Sequence, residues 1–198
     1  MILVADLCWK KDSLSRPEFV DPVVSTLRKT GAEIKVLHYS ELTSDQNSKH
    51  LSRDLLECDG VVLCGTAIQD NIYAGEMNRF SWIKDPNYRK PILGICAGMQ
   101  VIASAFGGKI IPRLAIGIDK VDIIRDTELL GEPRQIEGYH LHNYGVTLPE
   151  GFQLVAGSHQ KLDAFHHESR PIYGLIFHPE VRNRWILQKF KNLGEKSR

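Results

Sequence analysis

The chain has 198 residues, 42% of them hydrophobic and 25% charged, with a formal net charge of +1. That length and mix suit one soluble globular domain with a sizeable core, and the near-neutral balance leaves no electrostatic footprint for a nucleic-acid or membrane-surface partner. Four cysteines, Cys8, Cys58, Cys64 and Cys96, show neither metal-ligand nor disulfide spacing and fit a reducing cytoplasm.

Met1 to Cys8 is apolar, too short for a membrane span and without a basic leader, so it reads as a first strand over Ile2–Leu7. Glu18–Lys29 reads as a helix, with Asp21-Pro22 marking its start and Gly31 its stop. Glu33–His38 alternates as a second strand, and the polar run Ser44–Ser52 leads into a short helix ending near Cys58. Gly60–Leu63 is uninterrupted and apolar, as in the middle of a parallel sheet. Asn71–Ile83 is a helix or an ordered loop, and Asp85-Pro86-Asn87 a turn. A strand then runs from Pro91 into Gly94, and a helix covers Met99 to Phe106. After Gly107-Gly108, short strands are expected at Lys109–Ile111, Asp119–Ile124, Glu137–Leu141, Val146–Leu148 and Gln153–Ser158. The last strand, Ile172–Phe177, ends at His178, and Val181–Leu193 closes the chain as a helix. No linker divides this pattern, so residues 1–198 are expected as one domain. The architecture it predicts is an α/β three-layer sandwich: a mainly parallel open sheet, helices on both faces, and an antiparallel hairpin region added late.

The chemistry concentrates at Gly94-Ile95-Cys96-Ala97-Gly98. An apolar strand entering Gly-x-Cys-x-Gly and leaving as a helix has the form of a nucleophile elbow, with cysteine in place of serine. The helix N-terminus would favour thiolate over thiol, so Cys96 is a candidate nucleophile. Its candidate base is His178, where another apolar strand emerges from the core. Pro179 ends that strand, and in an extended segment Glu180 shares a face with the imidazole two residues before it. A carboxylate on one ring nitrogen would orient the other toward sulfur and stabilise the imidazolium.

Gly94–Gln100 together with Phe177-His178-Pro179-Glu180-Val181 resembles the class I (triad-type) glutamine amidotransferases. Asp59–Gly65, Phe106–Lys109 and Leu148–Phe152 extend the resemblance over most of the chain beyond the first fifty residues. It implies a flavodoxin-like layered fold and no cofactor. It also implies hydrolysis of the side-chain amide of L-glutamine through a γ-glutamyl thioester, with Cys96 as nucleophile, His178 as base then acid, and Glu180 as orienter. The ammonia would pass to a separate synthetase, since only about twenty residues follow His178. Leu148–Phe152 and Pro171–Gly174 look most like the branch of the family that serves GMP synthetases, whereas Trp9-Lys10-Lys11-Asp12 does not.

Carried over by position, the oxyanion hole would use backbone N–H groups of Ala97 and of Gly65-Thr66. Thr66 stands where the family has a second glycine, and Ala67 where it has proline. If the position needs φ > 0, Thr accepts it poorly; a reshaped hole, a shifted loop or weak activity without a partner would each follow. Gln100, Asn143 and Tyr144 match glutamine-binding positions, although Leu141 replaces a small polar residue. For Gln100 a solvated helix position is the competing reading. His140 with His142, and His166 with His167, lack the Cys or carboxylate that would complete a metal site. Two other functions stay open: a γ-glutamyl hydrolase acting alone, and a non-catalytic regulatory module that keeps the fold.

Overall fold

The computed structural model describes residues 1–43 and 51–196. The polar run expected before the Cys58 helix falls largely at 44–50, outside the described residues. Five strands form a parallel half-sheet: β1 (Ile2–Asp6), β2 (Ile34–His38), β3 (Gly60–Leu63), β4 (Ile92–Ile95) and β9 (Ile172–Leu175), in the order β2-β1-β3-β4-β9. Four antiparallel strands continue it as β8 (Leu162–His167), β7 (Phe152–Gly157), β5 (Ile110–Ile123) and β6 (Arg134–Val146).

The parallel strands are apolar throughout because both faces are covered. Alternate residues point to opposite sides. Val4, Val62, Leu93 and Ile95 pack with Val23 and Leu27 of α2 (Asp21–Lys29) and Leu187 and Phe190 of α6 (Trp185–Lys196). Leu3, Ala5, Val61, Leu63 and Ile92 meet Phe80 and the helix α5 (Ala97–Ala105) on the other side. Each fully buried Leu or Ile contributes about 1.5–3 kcal/mol relative to exposure, so these two cores fix the strand ends from which the site is built.

Several boundaries differ from the sequence pattern for physical reasons. Two helices, α1 (Arg16–Phe19) and α2, replace the single one expected over Glu18–Lys29; each opens with a proline in its first turn. The Cys58 helix is α3 (Arg53–Glu57), and Asn71–Ile83 divides into α4 (Ile72–Gly75) and a 3-10 stretch, Met77–Lys84. The helix after the elbow begins at Ala97, directly behind Cys96. The closing helix starts at Trp185, because Pro179–Asn183 forms turns instead.

The four short strands expected between Lys109 and Leu148 are two long ones. β5 and β6 pair over almost their whole length as an antiparallel ribbon, with a bulge between Pro112 and Ala115. One face of β5 carries Leu114, Ile116 and Ile118, all exposed. Among the described residues, the ribbon's ladder joins the rest of the sheet at one register pair, Ile123 with Ala156. Side chains supply further ties: Arg113 reaches Asp163 at 2.5 Å and the Leu162 carbonyl at 2.6 Å, and Asn183 Nδ2 donates to the Glu137 carbonyl at 2.7 Å.

Candidate active site

Cys96 sits between β4 and α5 with φ 49° and ψ −102°. Among the described residues only Asp12 shares its positive φ outside glycine. Such a conformation costs about 1–3 kcal/mol and persists only where the surroundings impose it. They do so here through close packing: a Cβ on Gly98 would lie 2.2 Å from the Leu63 carbonyl oxygen, and one on Gly94 would lie 2.5 Å from the Gly98 carbonyl. The elbow is therefore closed against β3, and the Cys96 N–H bonds the Leu175 carbonyl at 2.8 Å. The first N–H groups of α5 have no acceptor within the helix, so Ala97 can offer its own to a bound oxygen.

His178 lies three residues beyond the end of β9, its N–H held by the Tyr139 carbonyl at 2.8 Å. Glu180 is in a turn, not an extended segment, and the turn at Pro179 brings its Oε1 to 2.7 Å from His178 Nδ1. Both side chains are buried. The His178 Nε2 and the Glu180 Oε2 are buried without a hydrogen-bond partner. Burial acts most strongly on His178 and opposes its charged form, but Glu180 and the neighbouring Cys96 outweigh it and hold the imidazole well above its usual range. Gly65 ties the two centres together: a Cβ there would lie 2.8 Å from His178 Cε1 and 3.5 Å from Cys96 Cβ.

A cleft of about 150 Å³ opens beside Cys96, lined among others by Thr66, Ala97, Gln100, Leu141, Asn143 and Tyr144. Thr66 is not at positive φ, so a side chain is accepted at that position without backbone strain. Gln100 is buried, not solvated: its Oε1 accepts from Tyr73 Oη at 2.6 Å and its Nε2 donates to the Tyr144 carbonyl at 3.2 Å. Asn143 Nδ2 reaches the Ile68 carbonyl at 3.5 Å, and Cys96 Sγ faces the Leu141 carbonyl at 3.7 Å. The structure thus brings all nine sequence candidates to one cleft and its rear wall.

Sequence reasoning missed Tyr73 and Asp70 and weighed His142 only as a metal ligand; all three line the cleft. Tyr73 lay in a stretch with no clear period, and nothing marks a tyrosine as the partner of a glutamine 27 residues later. His142 Nε2 is 3.2 Å from His140 Nδ1, and its own Nδ1 is 2.9 Å from the Arg113 carbonyl. Among the described residues no three His, Cys, Asp or Glu side chains are grouped to hold a metal ion.

A cysteine elbow, a buried His–Glu pair and a small cleft on a half-parallel sheet define a thiol-dependent hydrolase site. The family model for class I glutamine amidotransferases matches residues 17–189. The chain belongs to that family. It is 35% identical to the glutamine-hydrolyzing GMP synthase subunit of Archaeoglobus fulgidus, covering 86% of this chain and 88% of that one. The subunit of the same name from Thermoplasma acidophilum is 34% identical over 79% of this chain and 76% of its own. Among solved structures, a GMP synthase subunit from T. acidophilum superposes with a TM-score of 0.80 at 28% identity, covering 98% of this chain and 94% of that one. A glutamine amidotransferase from Thermotoga maritima shares the fold, with a TM-score of 0.65 at 21% identity over 98% of this chain and 84% of that one. No helix among the described residues is long and apolar enough to cross a membrane.

Proposed function

We propose that this chain is a glutaminase that releases ammonia from glutamine for a separate synthetase. The observation that carries the reading is the meeting of Cys96, at positive φ and the start of α5, with the buried His178–Glu180 pair across Gly65. As His178 takes the Cys96 thiol proton, the sulfur attacks the side-chain amide carbon of glutamine, and the carbonyl oxygen becomes an oxyanion held by the N–H groups of Ala97 and Thr66. His178, protonated and steadied by Glu180, gives its proton to the amide nitrogen as the C–N bond breaks and ammonia leaves. Water then attacks the γ-glutamyl thioester, with His178 taking its proton, and glutamate departs as the thiol is restored. Gln100, Asn143 and Tyr144 build the wall that receives the amino-acid end of the substrate. A cleft of about 150 Å³ suits one amino acid.

The acceptor we favour is a GMP-synthetase-type enzyme, supported by relatives named as glutamine-hydrolyzing GMP synthase subunits that match most of their length. Residues 1–198 act as one glutaminase domain, supported by the single nine-stranded sheet. A reducing cytoplasmic setting is supported by four free, buried cysteines.

The test is mass spectrometry after treatment with 6-diazo-5-oxo-L-norleucine, a glutamine-analogue electrophile, with Cys96→Ala as control. One adduct on Cys96, blocked by glutamine, is expected. No adduct, alone or with a candidate synthetase present, would sink the reading.

A further inference from the structure

Resting on the glutaminase reading, we propose that Asp70 is a positioning residue that sets the oxyanion loop by gripping the Thr66 hydroxyl. The loop leaves the sheet just before the place where its backbone must be aimed. Its last tie to the parallel ladder is the Cys64 N–H on the Ala5 carbonyl at 3.1 Å. Beyond that point Gly65 and Thr66 have lost the sheet's guidance, and a family glycine at the second position would offer no side chain to replace it. Thr66 does. Its buried Oγ1 donates to Asp70 Oδ2 at 2.8 Å, while its residue lines the cleft beside Cys96 and Ala97.

Asp70 is itself anchored at both ends. Its N–H closes a turn onto the Ala67 carbonyl at 2.8 Å. The same Oδ2 also accepts the backbone N–H of Trp9, from the segment after β1 that the family resemblance does not cover. One carboxylate oxygen, Oδ2, therefore joins two loops that the sheet leaves free, while Oδ1 is buried without a hydrogen-bond partner. The Cys8 thiol beside Thr66 is pushed up to about 12, first by burial and then by Asp6, so it stays protonated and adds no second anion there. Threonine at this position thus has a local partner set, Asp70 and the Trp9 segment, and the departure from glycine becomes a second way of holding the same backbone N–H.

Positioning through a hydroxyl predicts a loss in turnover and not in binding, since the Thr66 hydroxyl is engaged by Asp70. Glutamate release by the full chain should show a kcat lower by about tenfold in Thr66→Val, part of the effect of removing an oxyanion donor, with KM within twofold of wild type. Thr66→Ser, which keeps the hydroxyl, should restore kcat. Asp70→Ala should lower kcat at least as far as Thr66→Val, because it also frees the Trp9 N–H, and the double variant should be no worse than Asp70→Ala alone, because Thr66→Val then has no contact left to break. Wild-type kcat in Thr66→Val overturns the proposal. So does a Thr66→Ser as impaired as Thr66→Val, or a double variant whose losses multiply. Labelling of Cys96 by the glutamine analogue in the same preparations separates the two readings: no labelling of wild type removes the glutaminase function on which this rests, whereas labelled wild type with an undiminished Thr66→Val removes the clamp alone.

Discussion

His178 Nδ1 lies 2.7 Å from Glu180 Oε1, with both side chains sealed from solvent. That contact makes the imidazolium the favoured form against the pull of burial, and it leaves the other ring nitrogen free to serve sulfur. Glu180→Gln keeps the shape and removes the charge. Glutamine hydrolysis should fall by about 10²-fold, less than in Cys96→Ala. With the carboxylate gone, the limb of the kcat/KM–pH profile that reports the imidazole should move to lower pH. An unmoved profile would separate Glu180 from the titration of His178.

The elbow depends on two absent side chains. Gly98→Ala would drive a Cβ against the Leu63 backbone, which cannot yield as a flexible side chain does, and should cost about 3 kcal/mol or more. Gly75→Ala is the matched control: nothing lies within 4 Å of a Cβ there, and the change should be neutral or stabilising by up to about 1 kcal/mol. Urea-unfolding midpoints decide between them; equal midpoints would contradict the close approach of α5 to β3.

Tyr73→Phe removes the donor that holds Gln100 Oε1. A buried acceptor left unpaired costs about 1–3 kcal/mol, and the Gln100 amide is then free to turn away from the Tyr144 carbonyl. KM for glutamine should rise several-fold with kcat nearly constant. A change in kcat alone would assign Tyr73 to the chemistry and not to the pocket wall.

His140 and His142 are both held neutral, their values lowered to about 4 chiefly by burial. Between their ordinary value near 6.5 and 4 the unfolded chain binds more protons than the folded one, so stability must fall as pH drops through that window. Each ring can add up to ~1.4 kcal/mol per pH unit to that acid slope. His178 works in the opposite sense: its contribution is complete below 6.5 and is lost as pH rises through its elevated folded value. Unfolding free energies across this range should show the acid slope, and His140→Gln should flatten it by about half. A slope unchanged by that substitution would place its origin elsewhere.

Local pattern was enough wherever a segment's neighbours were local or uniform. Gly60–Leu63 is read to the residue because an unbroken apolar run bounded by polar and glycine residues has few alternatives in a parallel sheet. The elbow is legible for the same reason, since glycine–x–cysteine–x–glycine states its own backbone demand. The ribbon was not legible, because exposed Leu114, Ile116 and Ile118 imitate a buried face and Asp119-Lys120 interrupts it. β8 escaped notice altogether: Asp163 in its second position looks like a breaker until Arg113, fifty residues earlier in the chain, arrives to pair with it. In the proposed site, motif and spacing drew attention to Cys96, His178 and Glu180, but not to the route by which they meet. Glu180 reaches the ring through a turn, and the buried state of Gln100 depends on Tyr73, a tertiary partner that no period announces.

The single register pair between Ile123 and Ala156 has a consequence for how this molecule can change over generations. Cys96, the proposed nucleophile, sits at the end of the parallel half-sheet, where any shift is resisted by packing on two faces. Leu141, Asn143 and Tyr144 belong to a hairpin whose ladder meets that body at one rung, its further ties being side-chain contacts and the packing of Val121, Ile123 and Val146 into the cores. Replacements along the hairpin can therefore alter which amide is welcomed, and how firmly, while the attacking group keeps its geometry. On the proposed reading, what sets selectivity and what sets reactivity lie on different pieces of the protein.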